Sequence, residues 1–164
     1  MADETPAGTV PASGPAIPPA LNGAAGYQVR RLHQAYLALW AREVDPTLTG
    51  PQFAVLTAVQ AAPGRDQRSM ATAVALDTST MADVARRLES RGLLVRHTAA
   101  ADGRRKLLHL TEAGERALRA ARDRLTLLDE RLFAPYGAER RTELIGLLTS
   151  LADRWEGLAQ DSAP

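Results

Sequence analysis

The chain has 164 residues, enough for one domain with a self-sustaining core, and it contains no cysteine. The missing thiols exclude disulfides, thiolate metal sites, cysteine nucleophiles and thiol redox sensing. Net charge is only +1, from 20 Lys+Arg against 19 Asp+Glu, yet residues 65–106 alone hold 9 basic and 5 acidic groups, so the excess of base is local and needs a reason.

Residues 1–26 hold five prolines and four glycines and begin Met1-Ala2-Asp3-Glu4. Little there can be buried to offset chain entropy, so the stretch reads as a disordered tail and not as a signal peptide. There is no run of ~18 apolar residues to span a membrane. With no membrane partner and no Cys, the expected compartment is the cytoplasm.

From Tyr27 to about Val44 the pattern is helical: Val29, Leu32, Tyr36, Trp40 and Val44 recur every three or four residues, and Pro46 ends the run. Thr49 with Gln52 three residues on spells a capping box, and Leu48 with Phe53 suits a hydrophobic staple. The helix they start is predicted to reach about Ala61, before Pro63-Gly64. A short helix follows, roughly Gln67 to Ala75, capped by Asp66, with Met70 and Val74 facing inward. After a turn at Leu76-Asp77 comes a helix from Thr78 to about Arg91, closed by Gly92. Two short apolar runs, Leu93-Leu94-Val95 and Leu107-Leu108-His109-Leu110, then flank a polar tip, Ala101 to Lys106, whose Asp-Gly pair signals a hairpin. Thr111 caps a long helix with Glu112 and Glu115 in its first turn, where the helix dipole favours them. Leu118, Leu125, Leu128 and Leu132 mark its apolar stripe. Pro135-Tyr136-Gly137 breaks the chain, and a last helix is predicted from Ala138 to about Leu158. Its stripe of Leu144, Leu148, Leu151, Trp155 and Leu158 alternates steps of four and three, the seam pattern of helices packed side by side.

Short helix, turn, helix and hairpin make a winged helix-turn-helix, so the fold class is mainly α with a small β-hairpin wing. The second helix of such a unit enters the major groove while the hairpin tip reaches the flanking backbone. At 100° per residue, Met81, Val84, Ala85 and Leu88 share one arc and face the core. Ser79, Asp83, Arg86 and Ser90 fall opposite, with Arg87 at the edge. Arg forks to guanine, and Ser or Thr reaches bases or phosphate; Asp83 either accepts from a cytosine amino group or pairs with Arg87. Any solvated helix face has this look. The wing weighs against that reading: Gly103-Arg104-Arg105-Lys106 puts three cations, including the chain's one lysine, where no folding reason requires them. The expected partner is double-stranded DNA.

The chain also resembles the MarR family of transcriptional regulators from about Tyr27 to Leu158. The residues that carry the resemblance are Leu48-Thr49-Gly50-Pro51-Gln52-Phe53-Ala54-Val55-Leu56, Asp77-Thr78-Ser79-Thr80, Arg87-Leu88-Glu89-Ser90-Arg91-Gly92-Leu93-Leu94, Asp102-Gly103-Arg104-Arg105 and Leu110-Thr111-Glu112-Ala113-Gly114. It implies a homodimer built by the first and last two helices. Residues 1–26 would then be a tail, 27–47 a dimerisation helix, 48–111 the winged lobe and 112–160 the C-terminal dimerisation helices, with Leu128, Leu144, Leu148, Leu151 and Trp155 at the seam. It also implies DNA contacts from Gln67, Arg68, Thr78, Ser79, Thr80, Asp83, Arg86, Arg87, Arg104 and Arg105, with Asp102 and Gly103 shaping the wing. Three positions depart from the family pattern. Ala75 stands where a turn usually holds Gly, Thr78 where Arg is common, and Ala99 where an Asp commonly opens the wing loop.

The stretch from Arg30 to Trp40 is similar to the first helix of regulators that answer to aromatic carboxylates. That likeness implies an effector site with Arg30 gripping a carboxylate and His33 and Tyr36 beside it; similar regulators carry His at the position of Tyr36. Left to the residues alone, Arg30 equally suits a surface or interface ion pair, and Tyr36 and Trp40 suit plain core packing. His97 and His109 read as strand residues, and three scattered histidines without cysteine make no metal site. No cofactor is expected. The expected function is a ligand-responsive DNA-binding regulator, read as a repressor. The competing classes are a winged helix used only for protein contacts and, further off, an enzyme. For an enzyme, no nucleophile elbow, phosphate loop or His-Glu-x-x-His is present.

Overall fold

The computed structural model describes residues 17–99 and 102–161; the side chains at positions 99, 102–104 and 160 lie outside that description. The chain divides into two compact units, Met1–Tyr36 and Leu37–Pro164. In the first, α1 is a single turn, Pro19–Asn22, and α2 begins at Ala25. The expected tail therefore ends sooner than predicted. Proline at the first helical position is the reason: its fixed φ suits a helix start and its missing N–H would have no partner there. Residues 1–16 of that tail lie outside the described residues.

Helix α2, Ala25–Leu39, runs on into a π-helical turn, Trp40–Val44. The wider turn carries Trp40 and Val44 into the core, and the Trp40 indole N–H donates to the Leu48 carbonyl at 2.5 Å. Arg124 donates to the Val44 carbonyl at 2.9 Å, and Glu43 pairs with both Arg42 and Arg131, which ties the turn to α6.

Helix α3, Gly50–Ala61, starts with the predicted capping box: Thr49 Oγ1 accepts from the Gln52 N–H at 3.4 Å, and Gln52 Oε1 accepts from the Thr49 N–H at 3.1 Å. Leu48 is buried, and Phe53 meets Trp40 edge to face, centroids 5.3 Å apart. Helices α4, Gln67–Ala73, and α5, Thr78–Ser90, are capped by Asp66 and Asp77. Both end alike, with a left-handed residue whose successor N–H reaches back five residues: Leu76 to Ala71 at 3.0 Å and Leu93 to Leu88 at 3.0 Å. In α5 the left-handed residue is Gly92; in α4 it is Ala75 at φ 52°. The turn that closes α4 two residues early is thus built on a residue that carries a Cβ.

Strands β1, Leu94–Ala99, and β2, Asp102–Leu110, pair antiparallel from Leu94↔Leu110 to Thr98↔Lys106. The partner then jumps to Ala99↔Asp102. Arg104, Arg105 and Lys106, expected on a loop tip, therefore lie within β2. Ladder pairing uses backbone groups, so polar residues extend a strand whose outer face meets water. The segment before α4 pairs along β2 as well: Gly64 N–H to the Leu108 carbonyl at 2.9 Å and Leu108 N–H to the Arg65 carbonyl at 3.0 Å.

Helix α6, Glu112–Phe133, is capped by Thr111, and α7 spans Gly137–Asp161. One core joins Trp40, Leu56, Met70, Met81, Leu88, Leu94, Leu108, Leu118 and Leu128. Truncating any of its fully buried leucines to Ala would cost about 2–5 kcal/mol. Leu128, expected at a subunit seam, is 2% exposed and belongs to this core, whereas its neighbour Leu127 is 61% exposed. Helical phase explains the correction, since Leu118, Ala121 and Leu128 form one buried stripe beneath α3 and the π turn.

Candidate nucleic-acid interface

Helix α5 separates its two faces as its sequence predicts. Met81, Val84, Ala85 and Leu88 are buried, while Ser79, Asp83, Arg86, Arg87 and Ser90 are exposed. Its N-terminus is set by Asp77, which accepts from the N–H groups of Ser79 and Thr80, both at 2.9 Å, and from both their hydroxyls, that of Thr80 at 2.5 Å. The two hydroxyls, with Thr80's backbone N–H, hold the Asp77 carboxyl well below the usual carboxylate range. A hydroxyl that gives its proton to Asp77 offers a neighbour only lone pairs. Phosphate oxygens also only accept, so Ser79 and Thr80 are set to accept from the amino groups of adenine or cytosine.

Asp83 accepts from Arg86 Nη2 at 2.5 Å, with both side chains more than half exposed. The expected alternative of Asp83 with Arg87 is not formed. Three residues along a helix bring these two groups together as readily as four. The exposed Arg86 guanidinium therefore carries its own carboxylate beside it.

A second cluster lies where α4, α5 and the wing converge. Asp66, Gln67, Arg68, Thr78, Arg105 and Lys106 line an open cleft of about 490 Å³. Arg105 Nη2 donates to Asp66 Oδ2 at 2.6 Å, and the Ser69 N–H donates to Asp66 Oδ1 at 3.0 Å. Those two contacts hold the Asp66 carboxyl well below its usual range, the Ser69 N–H first and the Arg105 guanidinium second. Arg105, expected as a free wing cation, is thus partnered within the lobe. Lys106 donates to Thr98 Oγ1 across the hairpin at 2.8 Å. The side chains of Asp102, Gly103 and Arg104 lie outside the described residues. Gln67, Arg68 and Thr78 stand together on the cleft.

Two residues that sequence reasoning missed steady this face. Arg91 donates to the Thr47 carbonyl at 2.6 Å and to the buried Gln52 Oε1 at 3.2 Å, fixing the end of α5 to the start of α3. Arg96 forks onto Glu89, with Nε at 2.8 Å, fixing β1 to α5. No local pattern announces partners 44 and 39 residues away in sequence.

A sequence profile described as MarR family matches residues 47–105, which include every residue of this face but Lys106. The transcriptional regulator HosA of Escherichia coli O127:H6 is 36% identical over 132 residues, covering 80% of this chain and 97% of that protein. The chain belongs to the MarR family of transcriptional regulators. Among solved MarR-type structures, PcaV of Streptomyces coelicolor in complex with its natural ligand superposes with a TM-score of 0.79 at 39% identity, covering 85% of this chain and 98% of that one. The transcriptional repressor CouR, bound to a 23-mer DNA duplex, gives 0.76 at 30% identity over 82% and 96%. These MarR relatives are regulators and not enzymes, and the winged-helix fold is shared with them. Among the described residues no helix is long and apolar enough to cross a membrane.

Of the residues expected to meet an effector, Arg30 lines a second cavity, and His33 and Tyr36 are not among its lining residues. Arg30 lines an open pocket of about 570 Å³ with Tyr27, Gln28, Arg31 and Leu32. His33 is exposed on α2, and Tyr36 is 36% exposed. Trp40, on the π turn, is in the core, which bears out its reading as a packing residue.

Proposed function

We propose that the chain is a ligand-responsive repressor that binds a pseudo-palindromic operator as a homodimer. The observation that carries this reading is the exposed face of α5, Ser79, Asp83, Arg86 and Arg87, standing beside the Arg68–Thr78–Arg105–Lys106 cleft. In a dimer, two such helices about 34–36 Å apart would enter successive major grooves. Support for the dimer comes from α7. Leu148, Leu151 and Trp155 are exposed in the single chain at seam spacing, and Leu144 is half-buried. An apolar stripe of that length is an interaction surface. That CouR is a repressor solved on DNA supports the same direction of action.

The effector is a small aromatic acid. The resemblance of Arg30–Trp40 to acid-responsive regulators supports this, as does a guanidinium fork at the rim of a cavity with Tyr27 in its wall. Ligand release of DNA works through differential affinity for two arrangements of the lobes, worth about 1–3 kcal/mol.

The test is a salt titration of DNA binding. If each protomer meets three or four phosphates, the log–log slope is roughly −5 to −7. A slope near zero removes DNA as the partner. For the effector, Arg30→Ala should abolish release by an aromatic acid while apo binding to DNA persists. A mutant that still responds makes Arg30 structural.

A further inference from the structure

We propose that Arg31 is a second anion ligand next to Arg30, and that the effector class is a flat aromatic acid carrying two anionic groups. This rests on the reading that Arg30 holds an effector carboxylate.

Four observations carry it. Residues 17–39 contain no Asp or Glu, so the two adjacent guanidiniums have no carboxylate on their own helix. Neither forms an ion pair among the described residues. Both converge on one ring, with the Arg30 guanidinium carbon 5.4 Å and that of Arg31 6.0 Å from the Tyr27 centroid, as partners three and four residues along a helix should. Arg31 is also held in place: Nη1 donates to Gln28 Oε1 at 3.1 Å, and Gln28 Nε2 donates to the Asn22 carbonyl at 2.6 Å.

Two like charges gathered on one ring repel, and a single carboxylate relieves only one of them. A guanidinium already fixed by hydrogen bonds loses less freedom when it takes up an anion than a waving one does. The Asn22–Gln28–Arg31 chain does this work for Arg31 while it fastens the end of α1 to α2. Leu32 and Ala35 in the same wall offer the apolar contact that a ring needs.

The experiment is calorimetric titration of the full chain with benzoate and with the three benzene dicarboxylates. The proteins compared are the unmodified chain, Arg30→Ala, Arg31→Ala and Arg31→Lys. At least one dicarboxylate should bind about tenfold or more tightly than benzoate. Arg31→Ala should erase that difference, and Arg31→Lys should restore part of it. If dicarboxylates bind no better than benzoate, or Arg31→Ala weakens both acids equally, the inference falls while benzoate binding that depends on Arg30 leaves the effector reading intact. If no acid binds, or Arg30→Ala binds them all unchanged, the effector reading falls and takes the inference with it. If Arg31→Ala weakens DNA binding without ligand, Arg31 is a phosphate contact and the inference is wrong.

Discussion

Arg105 on the wing strand and Asp66 at the cap of α4 meet through Nη2 and Oδ2 at 2.6 Å. Asp66 thus closes two structures at once, a helix start and the seam between wing and lobe. Asp66→Ala should lower stability by about 1 kcal/mol, the cost of a lost cap. A double-mutant cycle with Arg105→Ala should give a coupling below about 1 kcal/mol, since Arg105 is half exposed. Because the folded Asp66 value is depressed, its contribution is present above the ordinary Asp value of 3.8 and lost as pH falls through the folded value. Chemical denaturation from pH 7 to pH 3 should show stability falling at the acid end, and less so in Asp66→Ala. A parallel decline in both proteins would show that Asp66 is not titrating.

Asp83 beside Arg86 sets up the second prediction. Removing the carboxylate frees a guanidinium and deletes a charge that phosphate repels. Asp83→Ala should therefore raise affinity for arbitrary DNA and steepen the salt slope by about one unit. Arg86→Ala should cost about 1–3 kcal/mol of discrimination at one base position, read by selection from random duplexes. Arg104→Ala should instead weaken all sequences alike. If Asp83→Ala selects the same sequences with the same slope, the pair is an ordinary surface bridge.

Gly114, in the first turn of α6, has no room for a side chain. A Cβ there would sit 1.9 Å from the Leu93 carbonyl oxygen. The obstacle is backbone and cannot swing aside. Gly114→Ala should destabilise by about 1–3 kcal/mol through overpacking. In a chain of this size that is a fall of roughly 2–4 °C in Tm per kcal/mol. An unchanged melting curve would mean that the start of α6 shifts freely away from the Leu93 backbone.

Ala75 makes the opposite prediction. Its φ of 52° strains an L-residue, and Gly would relieve that strain while adding freedom to the unfolded chain. The left-handed penalty of about 1–2 kcal/mol outweighs the entropic one, so Ala75→Gly should stabilise by up to about 1 kcal/mol. Equilibrium unfolding in urea would show a higher midpoint, and a lower one would refute the strain.

What could be read before the structure was local. The Thr49–Gln52 box, the buried face Met81–Val84–Ala85–Leu88 and the Thr111 cap all rest on residues within a turn or two of each other. Ala75 stands out only against the family pattern, which usually holds Gly there, and the residues by themselves carry the helix on to it, two positions too far. Tertiary partners were not readable. Arg105 finds Asp66 39 residues away and Arg91 finds Thr47 44 away, so each cation has a partner inside the lobe that no local pattern announces. The apolar runs and the Asp-Gly pair signal the hairpin but not its full length, because its outer half pairs backbone without apolar side chains. Leu128 lies in the core and not at a seam because an apolar stripe says that a residue is covered, not by which chain.

Lys106 is the chain's one lysine, and it is exposed on β2 with its ammonium against Thr98. A reagent that modifies ε-amines therefore has one side-chain target, and that target lies on the wing strand at the edge of the proposed DNA cleft. Without any substitution, a dye placed there would report on the wing alone. Protection of that single amine by DNA would give a footprint from the protein side, one residue wide.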